Sequence, residues 1–202
     1  MHIFCKLNRY KKRLEAFSDG VLAIILTIMV LELKTPKEAD ISSLIELGPK
    51  FFSYILSFIY IGIYWNNHHH MFSTVEKVNG QILWANFNLL FWLSLIPFST
   101  SWMGETKFSE IGTFTYGAVL FMSAVAYFLL ESIIIKSQGK NSKLKKAVGN
   151  EWKGKFSVVF YFVGIIFSIF SPYAALGFYI LVAAMWIIPD KRIEKVHQIS
   201  EK

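Results

Sequence analysis

The sequence predicts an all-α polytopic membrane protein with six transmembrane helices per subunit. Three observations predict it. The 202 residues are 54% hydrophobic and only 17% charged, and the apolar residues come in blocks separated by short charged runs. Aromatic residues make up 17% of the chain, and Trp65, Trp84, Trp102, Trp152 and Trp186 lie near the ends of those blocks, as an interfacial belt does. The gaps leave no room for a separate soluble domain, so residues 1–202 read as one membrane domain.

Span one covers 14–33. At 1.5 Å per residue it is roughly 30 Å long, enough to cross a bilayer. Its basic-then-apolar start resembles a signal peptide, but Asp19 at the head of the apolar run and the lack of a small-residue cleavage site mark it as retained. Thr35-Pro36 ends it. Span two, 49–70, opens with Pro49, well suited to a first helical turn, and continues as helix past His70. Span three, 82–101, carries Pro97 as a kink. Span four is 111–135. The polar, basic stretch 136–155 is a loop. Span five is 156–170, Ser171-Pro172 turns the chain, and span six is 173–188, stopped by Pro189-Asp190. Cys5 is the single cysteine and forms no intrachain disulfide.

Six spans place both termini on one side. Seventeen of the 21 Lys and Arg residues fall on that side, chiefly before span one, in the loop after span four and in the tail; Lys34, Lys37, Lys50 and Lys107 fall on the other. The positive-inside rule puts both termini in the cytoplasm of a multi-pass cell-membrane protein. The net charge of +7 is therefore topological. The basic loop lacks interleaved aromatics, so no nucleic-acid partner is expected. No nucleophile–base pair, paired catalytic carboxylates or phosphate-cradling glycine loop stands out, so no enzyme activity and no cofactor are expected.

The densest polar cluster is Arg13 to Gly20, where Arg13, Ser18 and Asp19 meet the apolar run that begins at Val21. An ionisable residue at membrane depth is expensive and needs a partner; Arg13 and His68 are the candidates for Asp19. Two readings stay open: a functional knot, or the mere end of an apolar span. His68, His69 and His70 are consecutive on a helix, about 100° apart, so they do not converge on one metal. On a helical wheel Ile24, Ile28 and Leu31 share one stripe, Thr27 lies about 60° to its side, and Ser18 and Asp19 point about 120° and 140° away. Because the span is apolar all round, periodicity leaves open whether that stripe faces a pore or lipid.

The pattern Arg13-x-x-x-Phe17-Ser18-Asp19-Gly20, leading into an Ile/Leu/Thr-rich first span, resembles the signature of the endosomal–lysosomal potassium channel family, whose bacterial members carry one six-helix repeat per subunit. Trp65-x-x-His68-x-x-x-Phe72 closes span two as in that family, and Asn86 stands before Pro97 in span three. For spans four to six the resemblance rests on count and topology. It implies a homotetrameric, potassium-selective cation channel with potassium as the permeant ion and no Thr-Val-Gly-Tyr-Gly filter. It further implies a pore lined by the first helix, a hydrophobic constriction at Ile24, Ile28 and Leu31 with Thr27 beside it, and a polar network of Arg13, Phe17, Ser18, Asp19, Trp65, His68 and Asn86. The extra histidines around His68 depart from the motif.

The physics is consistent with the resemblance. A ring of isoleucines gates by dewetting. With the N-terminus inside, the negative end of the first helix dipole faces the outer mouth, where Glu32 adds charge; both favour cations. Neither selects potassium over sodium. The alternative is a proton-coupled or other secondary cation transporter with Asp19 and His68 as a relay; the halves show no convincing internal repeat of the kind such proteins often carry.

Overall fold

The regular structure is helical throughout the described residues of this computed structural model: 2–36, 38–75, 77–139, 142, 144–145 and 152–187, with 2–9 described by backbone alone. The helices are α1 (His2–Leu31), α2 (Ile41–Glu46), α3 (Gly48–Ser73), α4 (Gly80–Ser94), α5 (Ile96–Glu105), α6 (Glu110–Gln138), α7 (Trp152–Ser168) and α8 (Pro172–Ile187).

Among the described residues three stretches are long and apolar enough to cross a membrane: Tyr10–Leu31 within α1, Gly80–Glu105 across α4 and α5, and Glu110–Gln138; α8 is a shorter apolar helix. The expected single span 82–101 is two helices. The break falls at Leu95, and Pro97 sits in the first turn of α5. Proline removes one amide donor and its ring clashes with the carbonyl four residues back, here Leu93. Helix α1 stops at Leu31, short of the expected Leu33: Glu32 still bonds the Ile28 carbonyl, but Leu33 and Lys34 make only tighter turn contacts. The short helix α2 was not expected. Asp40 nucleates it by accepting from the Ser43 N–H at 2.8 Å and the Ser42 hydroxyl at 2.8 Å. The stretch 136–155 is not all loop, since α6 continues to Gln138 and α7 starts at Trp152. Lys140, Lys143, Lys146, Ile188 and the tail lie outside the described residues.

Helix α6 is the centre of the bundle, packed on α4, α5, α7 and α8; α7 and α8 form an antiparallel pair against it. Helix α1 lies at the opposite edge and packs on α3, α4 and α5. Most of the buried hydroxyls find partners inside the protein, as a membrane interior demands, with Thr113 Oγ1 an exception among the described residues. Ser57 on α3 bonds Thr100 on α5 at 2.7 Å and Tyr116 on α6 at 2.9 Å. Tyr179 on α8 fits because Gly117 and Gly164 lack side chains: a Cβ at either would come within 2.5 Å of its ring or hydroxyl. The outer faces are densely apolar, with Phe58, Trp84, Phe91 and Phe162 among the exposed side chains, more than a water-soluble monomer displays.

Candidate functional site

Helix α1 has two faces of opposite environment. Leu22, Ile25 and Met29 are 2%, 3% and 2% exposed, and with Leu14 and Ser18 they form a buried stripe at helical spacing. Ile24, Ile28 and Leu31 are 60%, 43% and 72% exposed and run along the opposite side. Thr27 is exposed as well. Its hydroxyl donates to the Ala23 carbonyl of its own helix at 2.9 Å, which leaves its oxygen lone pairs facing outward as acceptors. The stripe that periodicity left undecided is thus the one that its own subunit does not cover. Its buried counterpart is what fixes α1 against α3, α4 and α5.

Below the stripe, a directional chain of hydrogen bonds clamps α1 to α3 and α4. Ser18 donates to the Leu14 carbonyl at 2.9 Å. Asn86 on α4 donates through Nδ2 to Ser18 Oγ at 3.0 Å. With its amide nitrogen so used, Asn86 turns Oδ1 toward His68 on α3, 2.8 Å from Nε2. That oxygen only accepts, so the network assigns the proton on His68 to Nε2. All three side chains are buried, and the imidazole stacks on Phe72 with centroids 4.4 Å apart. Three buried polar side chains on three helices thus satisfy one another where an orphan would cost about 1–3 kcal/mol.

Asp19 points to the rim of this cluster. It is exposed in the subunit, and its donor is the Trp65 indole N–H at 3.0 Å, neither Arg13 nor His68. Phe17 is exposed and meets Phe87 edge-on at 5.6 Å. Arg13 stands apart: it is exposed and makes no bond to a described residue. On the wheel it falls about 20° from Ile24, at the N-terminal head of the uncovered stripe. His69 stacks on Trp65 at 6.1 Å, so adjacent histidines serve different neighbours. No group of metal-ligating side chains occurs among the described residues.

Two links escaped the sequence reading. Lys11 donates to the Ser73 carbonyl at 3.2 Å and helps close the end of α3. Ser101 on α5 donates to Glu32 at 3.0 Å and ties down the far end of α1. The only signal for the second was that Ser101 and Glu32 lie at the same end of their spans.

A family model described as endosomal/lysosomal potassium channel TMEM175 matches residues 13–97, the stretch from Arg13 to Pro97 that holds every residue of the clamp. A protein of Chryseobacterium sp. (strain P1-3) named as a potassium channel is 60% identical over 185 residues, 92% of this chain and 96% of that protein. The Gallus gallus endosomal/lysosomal proton channel TMEM175 is 30% identical over 136 residues, 59% of this chain but 27% of that longer protein. The crystal structure of a lysosomal potassium-selective channel TMEM175 homolog from Chamaesiphon minutus superposes with a TM-score of 0.79 at 25% identity, covering 90% of this chain and 98% of that one.

Proposed function

This chain belongs to the endosomal/lysosomal potassium channel TMEM175 family, and from that premise we propose that it is a potassium channel whose pore is lined by α1. Four subunits surround the axis, each contributing six spans: α1, α3, α4 with α5, α6, α7 and α8. Both termini are cytoplasmic and the membrane is the cell membrane. One subunit offers a single candidate pore helix, so the pore needs several copies.

The observation that carries this reading is the uncovered face of α1. From Ala23 to Leu31 it carries no aromatic side chain, with Ala23, Ile24, Thr27, Ile28 and Leu31 all exposed above Phe17, whereas the exposed faces of α3, α4 and α7 bear aromatic side chains such as Phe58, Phe91 and Phe162. A stripe of branched aliphatic residues supplies a constriction that dewets when narrow and passes partly hydrated ions when wide. Thr27 adds an oxygen acceptor within that stripe. The clamp of Ser18, Asn86 and His68 holds the stripe at a fixed angle to the rest of the subunit. Its role is positional, since none of its three side chains is on the uncovered face.

Purified protein in liposomes tests the function. A potassium gradient should drive flux and set a membrane potential without any second ion gradient. A secondary transporter would need that second gradient. The relay of Asp19 and His68 that it would use has no direct link here, because the two bond different partners, Trp65 and Asn86.

A further inference from the structure

Glu32 is the first residue past α1, one position beyond Leu31. Its N–H still bonds the Ile28 carbonyl at 3.1 Å, so it keeps helical register. On the wheel it lies about 80° from Ile24, on the flank between the uncovered stripe and the buried one. Its carboxylate is exposed and is held by the Ser101 hydroxyl at 3.0 Å, a bond between segments 69 residues apart. Among the described residues no ion pair neutralises it; the outer pair Lys50–Glu105, at 3.1 Å, joins α3 to α5 instead. The free carbonyls at the end of α1 add negative potential at the same place. The whole non-cytoplasmic side leans the same way. It holds Glu32, Glu38, Asp40, Glu46, Glu105 and Glu110 against four lysines.

Resting on the reading of α1 as the pore helix, we infer that Glu32, fixed by Ser101, forms a ring of carboxylates at the outer mouth that concentrates cations and sets the inward conductance. The effect is electrostatic, so its size follows from screening. Four carboxylates about 10 Å from the axis raise the cation concentration there roughly twofold at 0.15 M salt, several-fold at 0.01 M, and hardly at 1 M.

Single-channel currents in symmetric KCl at about 0.01 M and about 1 M test this. Glu32→Gln keeps the acceptor for Ser101 and removes the charge. It should cut inward current at low salt at least twofold more than outward current, and match the parent at high salt. Glu110→Gln removes a charge on the same side, at the start of α6, a helix with which α1 makes no substantial packing; it should behave as the parent. A second route avoids any assembly defect. In a Cys5→Ser background, Glu32→Cys should regain inward current when modified from outside by a negatively charged methanethiosulfonate and lose more with a positively charged one. Equal responses to both reagents, a salt-independent effect of Glu32→Gln, or an equal effect of Glu110→Gln would overturn the inference. A parent protein that fails to conduct would reject the channel reading itself, which is a different outcome.

Discussion

Replacing Asn86 with alanine should be among the costliest single changes in the first three spans. The side chain is fully buried and makes two bonds, accepting from His68 Nε2 at 2.8 Å and donating to Ser18 Oγ at 3.0 Å. Removal orphans the His68 N–H in a buried site, at about 1–3 kcal/mol. Ser18 keeps its bond to the Leu14 carbonyl, so its loss is only that of one net hydrogen bond, about 0.5–1.5 kcal/mol. Interhelical hydrogen bonds measured in membrane proteins average about 0.6 kcal/mol and reach about 1.7, which holds the total to roughly 2–4 kcal/mol. For a chain of this length each kcal/mol moves the midpoint by about 2–4 °C, so the thermal midpoint in detergent should fall by roughly 4–16 °C. Asn67→Ala is the control. That amide bonds the Ile63 carbonyl of its own helix at 2.8 Å and bridges to no other described helix, so its cost should stay under about 1 kcal/mol. His68→Ala combined with Asn86→Ala should cost clearly less than the sum of the single changes, because the two share one bond. Equal shifts for Asn86→Ala and Asn67→Ala, or strict additivity with His68→Ala, would refute the clamp.

Other perturbations separate the stations of α1. Trp65→Phe keeps the ring but removes the indole donor to Asp19; at an exposed site it should cost no more than about 1 kcal/mol by thermal melt. Thr27→Val keeps the shape and removes the hydroxyl that faces outward, so reversal potentials in mixed potassium and sodium should move while the midpoint does not. An engineered cysteine following Gly139 should resist an impermeant thiol reagent added to intact cells, as should Cys5; labelling of either from outside would invert the topology.

The helices were legible because bilayer thickness forces long apolar blocks, and Pro49 and Pro97 punctuate them as proline must. Trp65, His68 and Asn86 were legible as participants only through the motif. Which atom bonds which was not, because hydrogen-bond partners depend on helix rotation, and an all-apolar span hides its rotation. For that reason residue types alone offer Arg13 and His68 as candidate donors to Asp19, whereas the helix rotation brings Trp65 to it and leaves Arg13 on the Ile24 side. Helix α2 was missed because Asp40-Ile41-Ser42-Ser43 is too short and polar for a periodic signal; only the Asp40 cap marks it. The split at Leu95 differs from a kinked span by the choice of carbonyl partners around Pro97, which the residue type constrains and the neighbours decide.

The pairing of Ile24→Asn with Leu22→Asn tests most directly whether α1 lines the pore through its uncovered stripe. Ile24 is exposed, while Leu22 lies on the buried face about 160° away. In planar bilayers, Ile24→Asn should raise single-channel conductance and shift the reversal potential toward loss of potassium selectivity, about 59 mV for each tenfold fall in the permeability ratio. Leu22→Asn should lower the yield of folded protein and leave the selectivity of any surviving channels intact. An Ile24→Asn channel with unchanged conductance and unchanged reversal potential would contradict the assignment of the pore to this stripe.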